Sequence, residues 1–282
     1  MQNYDKDLLK RVQHKSLEMA EFFVAFCEEN QLLTYFCGGG CIGAVRNKGF
    51  IPWDDDLDFF LPRDDYEKLK KLWKDTDKYA LLYPSESYND HNIFMTLRDK
   101  STTMIRPIQK GLDIPHGIAL DIFPLDGYPP RKIQRMKQVI WGLIYQLFCS
   151  QVIPVNHGLI VRKIAELTLL IVSNRKLRYK IWKHAERQMS KYKIDDCDAI
   201  TEICAGPYYM KKRYPKQCFS RAVKYDFEDT RMPVPVGFRE YLKIAFGDYM
   251  KLPPEEKRKP GHDAILIDTE RSYINYRDIY IR

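Results

Sequence analysis

Four aspartates, Asp54, Asp55, Asp56 and Asp58, crowd into five positions of the segment GGGCIGAVRNKGFIPWDDDLDFFLP, which runs from Gly38 to Pro62. Like charges at that density repel, so a folded chain keeps them together only around a counter-charge. In an extended chain successive side chains point to opposite faces. Asp54, Asp56 and Asp58 then share one face, while Asp55, Leu57 and Phe59 share the other, which has an apolar end suited to a core. Carboxylates on alternate residues stand roughly 6.5–7 Å apart at ~3.3 Å rise per residue. That row suits a shared divalent cation. Mg²⁺ in particular takes one or two carboxylates and completes its shell with water and substrate phosphate, and Mn²⁺ is an alternative occupant. The chemistry indicated is metal-assisted reaction at a phosphate ester or anhydride. A surface loop of turn and capping aspartates is the plain alternative, but it explains neither the glycines before the knot nor the FFL after it.

Gly38, Gly39 and Gly40 follow a predicted strand. Lacking Cβ, they let the backbone approach a ligand, and N–H groups leading into a helix bind phosphate oxygens. Arg46 and Lys48 lie near enough in sequence to neutralise a pyrophosphate. The run is neither Gly-x-Gly-x-x-Gly nor a phosphate-binding loop ending in Gly-Lys-Ser/Thr, so its meaning comes from the Asp-x-Asp that follows. A further carboxylate is expected on a neighbouring strand. GIALDIFPLDG places Ile118, Leu120 and Ile122 on one face and Ala119, Asp121 and Phe123 on the other. Asp121, an acid among apolar residues, fits a metal ligand or a general base for an incoming hydroxyl. Asp126, just before Gly127, reads as a turn residue.

The elements that must position these groups are predicted as follows. Residues 5 to 30 form an amphipathic helix through Leu9, Val12, Met19, Phe23 and Cys27, ended at Asn30. Strands are expected at 32–37, 57–61, 80–84, 93–99 and 117–125, a short helix at 41–46 and a longer one at 64–75. The order indicates an α/β or α+β domain. Residues 131 to 187 are different: two apolar stretches flanked by Lys and Arg, neither offering ~20 clean apolar positions for a membrane span. They read as a buried helical subdomain or, through Trp141, Tyr145, Trp182 and the cations, as a surface lying on an anionic membrane. Beyond them, Pro233 and Pro235 hold an extended segment, 239–250 is helical with Gly247 near its end, and 251–267 is mostly loop. The organisation expected is a catalytic core over 1–130, a helical insertion over 131–195, and a C-terminal part over 196–282 that completes the core.

The 282 residues are 45% hydrophobic, which argues against wholesale disorder, and the formal charge of +8 suits either an anionic partner or a slightly basic solvated surface. The seven cysteines are odd in number, contain no Cys-x-x-Cys pair, and follow no secretory leader, so a reducing cytoplasm is expected. Cys197, Cys204, Cys218 and His262 match no zinc template, and ordinary thiols are favoured over a metal centre. A nucleic-acid module using the +8 charge is disfavoured, because the acidic knot repels phosphate without metal; no nucleic-acid partner is expected.

GGGCIGAVRNKGFIPWDDDLD, LDIFPLDGYP and YLKIAFGDYMKLPPEEKRKPGH, in that order, closely resemble the LicD family. It includes phosphocholine transferases of bacterial surface polysaccharides, and fukutin and fukutin-related protein are relatives. The resemblance implies an α+β fold of the nucleotidyltransferase type, a mixed sheet with flanking helices and a helical insertion. It implies Mg²⁺-dependent transfer of phosphocholine from CDP-choline to a hydroxyl of a cell-surface polysaccharide, lipopolysaccharide or teichoic acid precursor. Ribitol phosphate or glycerol phosphate from the corresponding CDP donor is the alternative, and a nucleotidyltransferase acting on RNA or protein the less favoured one. By position, Gly39 and Gly40 would face the donor phosphates; Asp54, Asp56, Asp58 and Asp121 would hold the metal; and Asp56, Asp58 and Asp121 would serve the reaction. Arg46 falls in a family segment, and Lys48 and Trp53 would lie on the substrate side. A choline head group needs an aromatic cage, for which Trp53, Tyr128, Tyr208, Tyr209 and Tyr249 are the candidates. The protein is expected in the cytoplasm, or peripherally at the inner membrane face. Two departures stand out: the gap from glycines to Asp-x-Asp exceeds that of simpler nucleotidyltransferases, and Gly40 stands where relatives often have a hydroxyl-bearing residue.

Overall fold

The computed structural model describes residues 5–153 and 158–281. Helix α1 (Lys6–Glu29) starts at Asp5, whose carboxylate accepts the Leu8 N–H at 2.7 Å, and Val12, Met19, Phe23 and Cys27 are fully buried along one stripe. Next come β1 (Tyr35–Phe36) and the short α2 (Gly38–Ile42), extended by a π-helical turn at Gly43–Asn47. The helix therefore begins on the glycines, three residues ahead of the expected 41–46. Gly38, at φ +51°, turns the chain directly out of the strand into the helix, which a side chain would strain. Strand β2 (Asp58–Pro62) and helix α3 (Arg63–Leu72) follow.

The strands β3 (Tyr79–Leu82), β4 (Met95–Asp99), β5 (Thr103–Ile105) and β6 (Ala119–Tyr128) come next. The main sheet runs β1-β2-β6-β4-β3; β2 and β6 are parallel and the other pairs antiparallel. With helices packed on it, this is a mixed-sheet α+β architecture. β6 is longer than expected, and Asp126 is a correction: it is no turn residue but a fully buried strand residue. It is clamped by Arg63 through two hydrogen bonds of 2.8 and 2.7 Å.

Helices α4 (Lys132–Ser150), α5 (Leu159–Ile171) and α6 (Arg175–Met189) build a second core from Tyr145, Phe148, Leu169, Trp182 and Met189. Among the described residues, no helix is long and apolar enough to cross a membrane. Strands β7 (Ala199–Thr201) and β8 (Tyr214–Pro215) continue the sheet beyond the far half of β6. The hairpin β9 (Ala222–Phe227) and β10 (Thr230–Pro235) precedes α7 (Phe238–Phe246), which Gly247 ends at φ +73°. Finally β11 (Leu266–Asp268) pairs with β5, and α8 (Arg277–Tyr280) closes the chain. The β5–β11 pair was not anticipated: three residues are too few to show a periodicity. It draws residues 253–265 back across the acidic knot.

Candidate active site

Asp58 and Asp121 stand opposite one another in the β2–β6 register, with Thr96 of β4 on the other side of Asp121. Oδ1 of Asp58 and Oδ1 of Asp121 are both buried, and neither has a hydrogen-bond partner among the described residues. Buried acceptors are rarely left so, because the desolvation cost is of order 1–3 kcal/mol each and more when charged. Asp58 lines a cavity of 540 Å³, which Asp54 and Asp56 reach from the run ahead of β2. Burial, then the charges of Asp56 and Asp55, push the Asp54 carboxyl up to about 8. Burial, then its neighbours Asp56 and Asp121, hold Asp58 well above the usual carboxylate range. Burial also raises Asp56, although His262 and Arg106 oppose it. Such a group of acids with raised affinity for protons and unsatisfied oxygens fits a divalent cation, which would replace the protons.

The glycines meet the acids directly. A Cβ on Gly39 would lie 2.0 Å from Asp54 Oδ2, so only glycine lets that carboxylate sit over the start of α2. The Gly38 N–H donates to the Tyr241 hydroxyl at 3.1 Å, which ties α7 to the turn. Gly39→Ala is therefore expected to displace Asp54 and lower turnover about 10²-fold, with a melting temperature close to the parent's. A steady-state assay beside a thermal melt separates the two effects, and full turnover would show that the Asp54 position is immaterial.

Several predicted contacts lie elsewhere. Gly40 is buried with its Cβ direction toward Phe36 and Leu57, so it faces the core. Arg46 donates to the Tyr249 carbonyl at 2.9 Å and to Asn47 at 2.9 Å, although Asp54 still acts on its charge. Lys48 is exposed where the π-helical turn ends, in the left-handed conformation at φ +58°. The Trp53 ring is covered by the Arg258 guanidinium at 5.7 Å. Among the cage candidates, Tyr209 lines the cavity, Tyr128 is packed under Arg135 at 4.3 Å, and Tyr208 faces Lys212 at 4.4 Å.

Other groups escaped the sequence reading. Asp55 faces inward, as the alternation predicts, and accepts the N–H groups of Gly261 and His262 at 2.8 and 3.3 Å. It thereby pins the His262 loop, and His262 Nδ1 lies 3.5 Å from both Asp55 and Asp56. Burial disfavours a charged imidazole there, but the Asp55 hydrogen bond and the two carboxylates outweigh it and raise the His262 pKa. Arg106, just past β5, bears on Asp56 and Asp58, and its buried Nε has no acceptor among the described residues.

Much of the remaining cavity wall is aromatic, with Phe60, Phe94, Phe123, Tyr209, Tyr241 and Phe246. Phe94 and Phe123 lie 4.2 Å apart, Phe60 and Tyr241 5.8 Å, and Tyr241 and Phe246 6.4 Å, so the rings form a continuous lining. Among them sits one buried acid, Glu202, which accepts a hydrogen bond from the Tyr214 hydroxyl. Burial pushes its carboxyl up to about 8, against the Tyr214 bond and the Lys212 charge. A larger cleft of 670 Å³ between α1 and the β9–β10 turn has Glu228 and Asp229 in its lining but no comparable knot of acids.

A glycine-led helix over carboxylates from neighbouring strands of a mixed sheet is the arrangement of a nucleotidyltransferase-type domain. Residues 32–134 match the family described as LicD/FKTN/FKRP, nucleotidyltransferase domain. It is 29% identical over 265 residues to the lipopolysaccharide cholinephosphotransferase LicD of Haemophilus influenzae, covering 90% of this chain and 96% of that protein.

Proposed function

We propose that the protein transfers phosphocholine from CDP-choline to a hydroxyl of a surface saccharide, either lipopolysaccharide or a teichoic acid precursor. The observation that carries this reading is the aromatic cavity with Glu202, continuous with the carboxylate knot. A trimethylammonium has no hydrogen to donate, so it is recognised by aromatic faces and a negative charge. A buried carboxylate whose hydrogen-bond partner is a neutral tyrosine hydroxyl is still costly to ionise, and an arriving cation offsets that cost. The name of the Haemophilus relative supports the same head group.

Asp54, Asp56 and Asp58, with Asp121 beside them, would hold Mg²⁺ or Mn²⁺. When bound, the ion supplies neutralisation of charge on the phosphoryl oxygens and on the departing cytidine monophosphate. The backbone at the start of α2 orients anionic oxygens. The acceptor oxygen forms the new bond to phosphorus, the bond to cytidine monophosphate breaks, and Asp121 receives the hydroxyl proton. Asp55 positions His262 against Asp56. All seven cysteines are free and buried, which supports a reducing, cytoplasmic setting.

The test is calorimetric titration of the metal-free protein with free choline. The raised Glu202 carboxyl sets the sign. Below about 8 the acid holds a proton that a bound cation must expel, so choline affinity rises with pH toward that value. The rise approaches tenfold per pH unit at most, since one unit is about 1.36 kcal/mol. In the free protein the same shift costs stability as pH climbs from the ordinary carboxylate range toward about 8. Glu202→Gln should weaken choline about 10-fold or more and flatten the pH dependence. A parent that ignores choline but is stabilised by CDP-ribitol or CDP-glycerol would move the assignment to a polyol donor.

A further inference from the structure

Helix α5 is built inside out. It buries only Ala165 and Leu169, while Ile160, Ile164, Leu167 and Ile171, on the opposite face, are 57–76% exposed. Their spacing of four, three and four residues makes one straight stripe. Leu159 and Leu170 flank it, also in solvent. Helix α4 repeats the pattern: Ile133, Met136, Ile140 and Leu143, spaced three, four and three, are all exposed. Soluble helices turn such stripes to a core, and an exposed apolar surface of this extent marks an interaction site.

The charge around the stripes says what covers them. Residues 131 to 187 hold twelve Lys and Arg against two Glu, an excess of ten. The whole chain carries +8, so the remainder is slightly acidic and the positive charge is concentrated in this layer. Lys132, Lys137, Arg162 and Lys163 stand exposed beside the apolar positions. Two copies of so cationic a face repel each other. A bilayer with anionic headgroups complements both features at once: acyl chains for the stripe and negative charge for its flanks. We propose that the outer faces of α4 and α5 dock on an anionic lipid surface, with the helices lying in the interfacial plane. This goes beyond the transferase reading and does not depend on the identity of the donor.

The experiment is cosedimentation of the full chain with vesicles of phosphatidylcholine, with and without phosphatidylglycerol. Binding is expected to the phosphatidylglycerol vesicles and to weaken as salt is raised. The Ile164→Asp/Leu167→Asp variant should lose about tenfold or more of that binding. Its melting temperature and circular dichroism should match the parent's, because both side chains already face solvent. Light scattering in solution distinguishes the rival occupant. A parent that ignores anionic vesicles overturns the proposal, as does a double variant that binds them undiminished. A parent dimer that the variant dissolves, with no vesicle binding, would assign the face to a second copy.

Discussion

Asp58→Asn is expected to abolish transfer and, at the same time, to raise the melting temperature of the metal-free protein. Asparagine keeps the shape of the side chain and removes the charge that a cation needs. Loss of one such electrostatic contact at a phosphoryl site costs about 10²–10³ in turnover. The stability gain follows from the sign of the titration. Burial, then Asp56 and Asp121, hold the Asp58 carboxyl well above its ordinary range, so the folded protein keeps a proton that the unfolded chain has released. Each pH unit across that window costs the fold about 1.4 kcal/mol, and the asparagine variant is spared it. The gap in melting temperature should therefore widen as pH rises from the carboxylate range to neutrality, reaching several degrees. Exposed Asp64, in the first turn of α3, is the control, and Asp64→Asn should show no such gain. Added Mg²⁺ should stabilise the parent and leave Asp58→Asn unmoved. A variant that still turns over removes Asp58 from the site, and a variant less stable than the parent shows that the knot is not strained.

The reason this much of the site was legible lies in the period of a strand. Alternation alone put Asp55, Leu57 and Phe59 on the buried side and Asp58 opposite them, and it placed Asp121 and Phe123 on one face. In the structure Phe60 and Phe123 continue those carboxylates into the cavity wall. Periodicity says which way a residue faces, not what it meets. His262 reaches Asp55 across 207 positions, and only the β5–β11 pair brings it there. Glu202 is one residue past β7, a three-residue strand without a readable pattern. Neighbourhood in sequence also misled: Gly40, Lys48 and Trp53 adjoin the motif, yet the turn from β1 into α2 sends them to the core, to solvent and to Arg258. Asp126 looked like a turn because Gly127 follows it. That glycine is instead required by packing, since a Cβ there would lie 2.5 Å from the Tyr192 carbonyl.

Arg63→Ala should destabilise the fold by about 3–5 kcal/mol, through a residue that never touches the reacting atoms. The guanidinium is held charged by Asp126, with two parallel hydrogen bonds in a buried setting. Arg63→Ala leaves Asp126 buried without its counter-ion, whereas Asp126→Ala still leaves Arg63 with Glu67 at 3.5 Å, so the second change should cost somewhat less. Replacing both by apolar residues, Arg63→Met with Asp126→Leu, leaves no orphan charge and should recover most of the loss. A double-mutant cycle by urea denaturation measures that coupling. The position of the pair gives it functional weight. Arg63 opens α3 directly after β2, and Asp126 lies on β6 five residues past Asp121, so the clamp reinforces the β2–β6 pairing, whose backbone register sets Asp58 against Asp121. Asp126 is also aligned with Thr201 of β7, the residue before Glu202. Well below the melting transition the double variant should keep near-normal turnover, because registers fixed by many backbone hydrogen bonds survive once the orphan charge is gone. If the double variant instead costs the sum of the singles, the two residues act independently and the pair is not a coupled clamp.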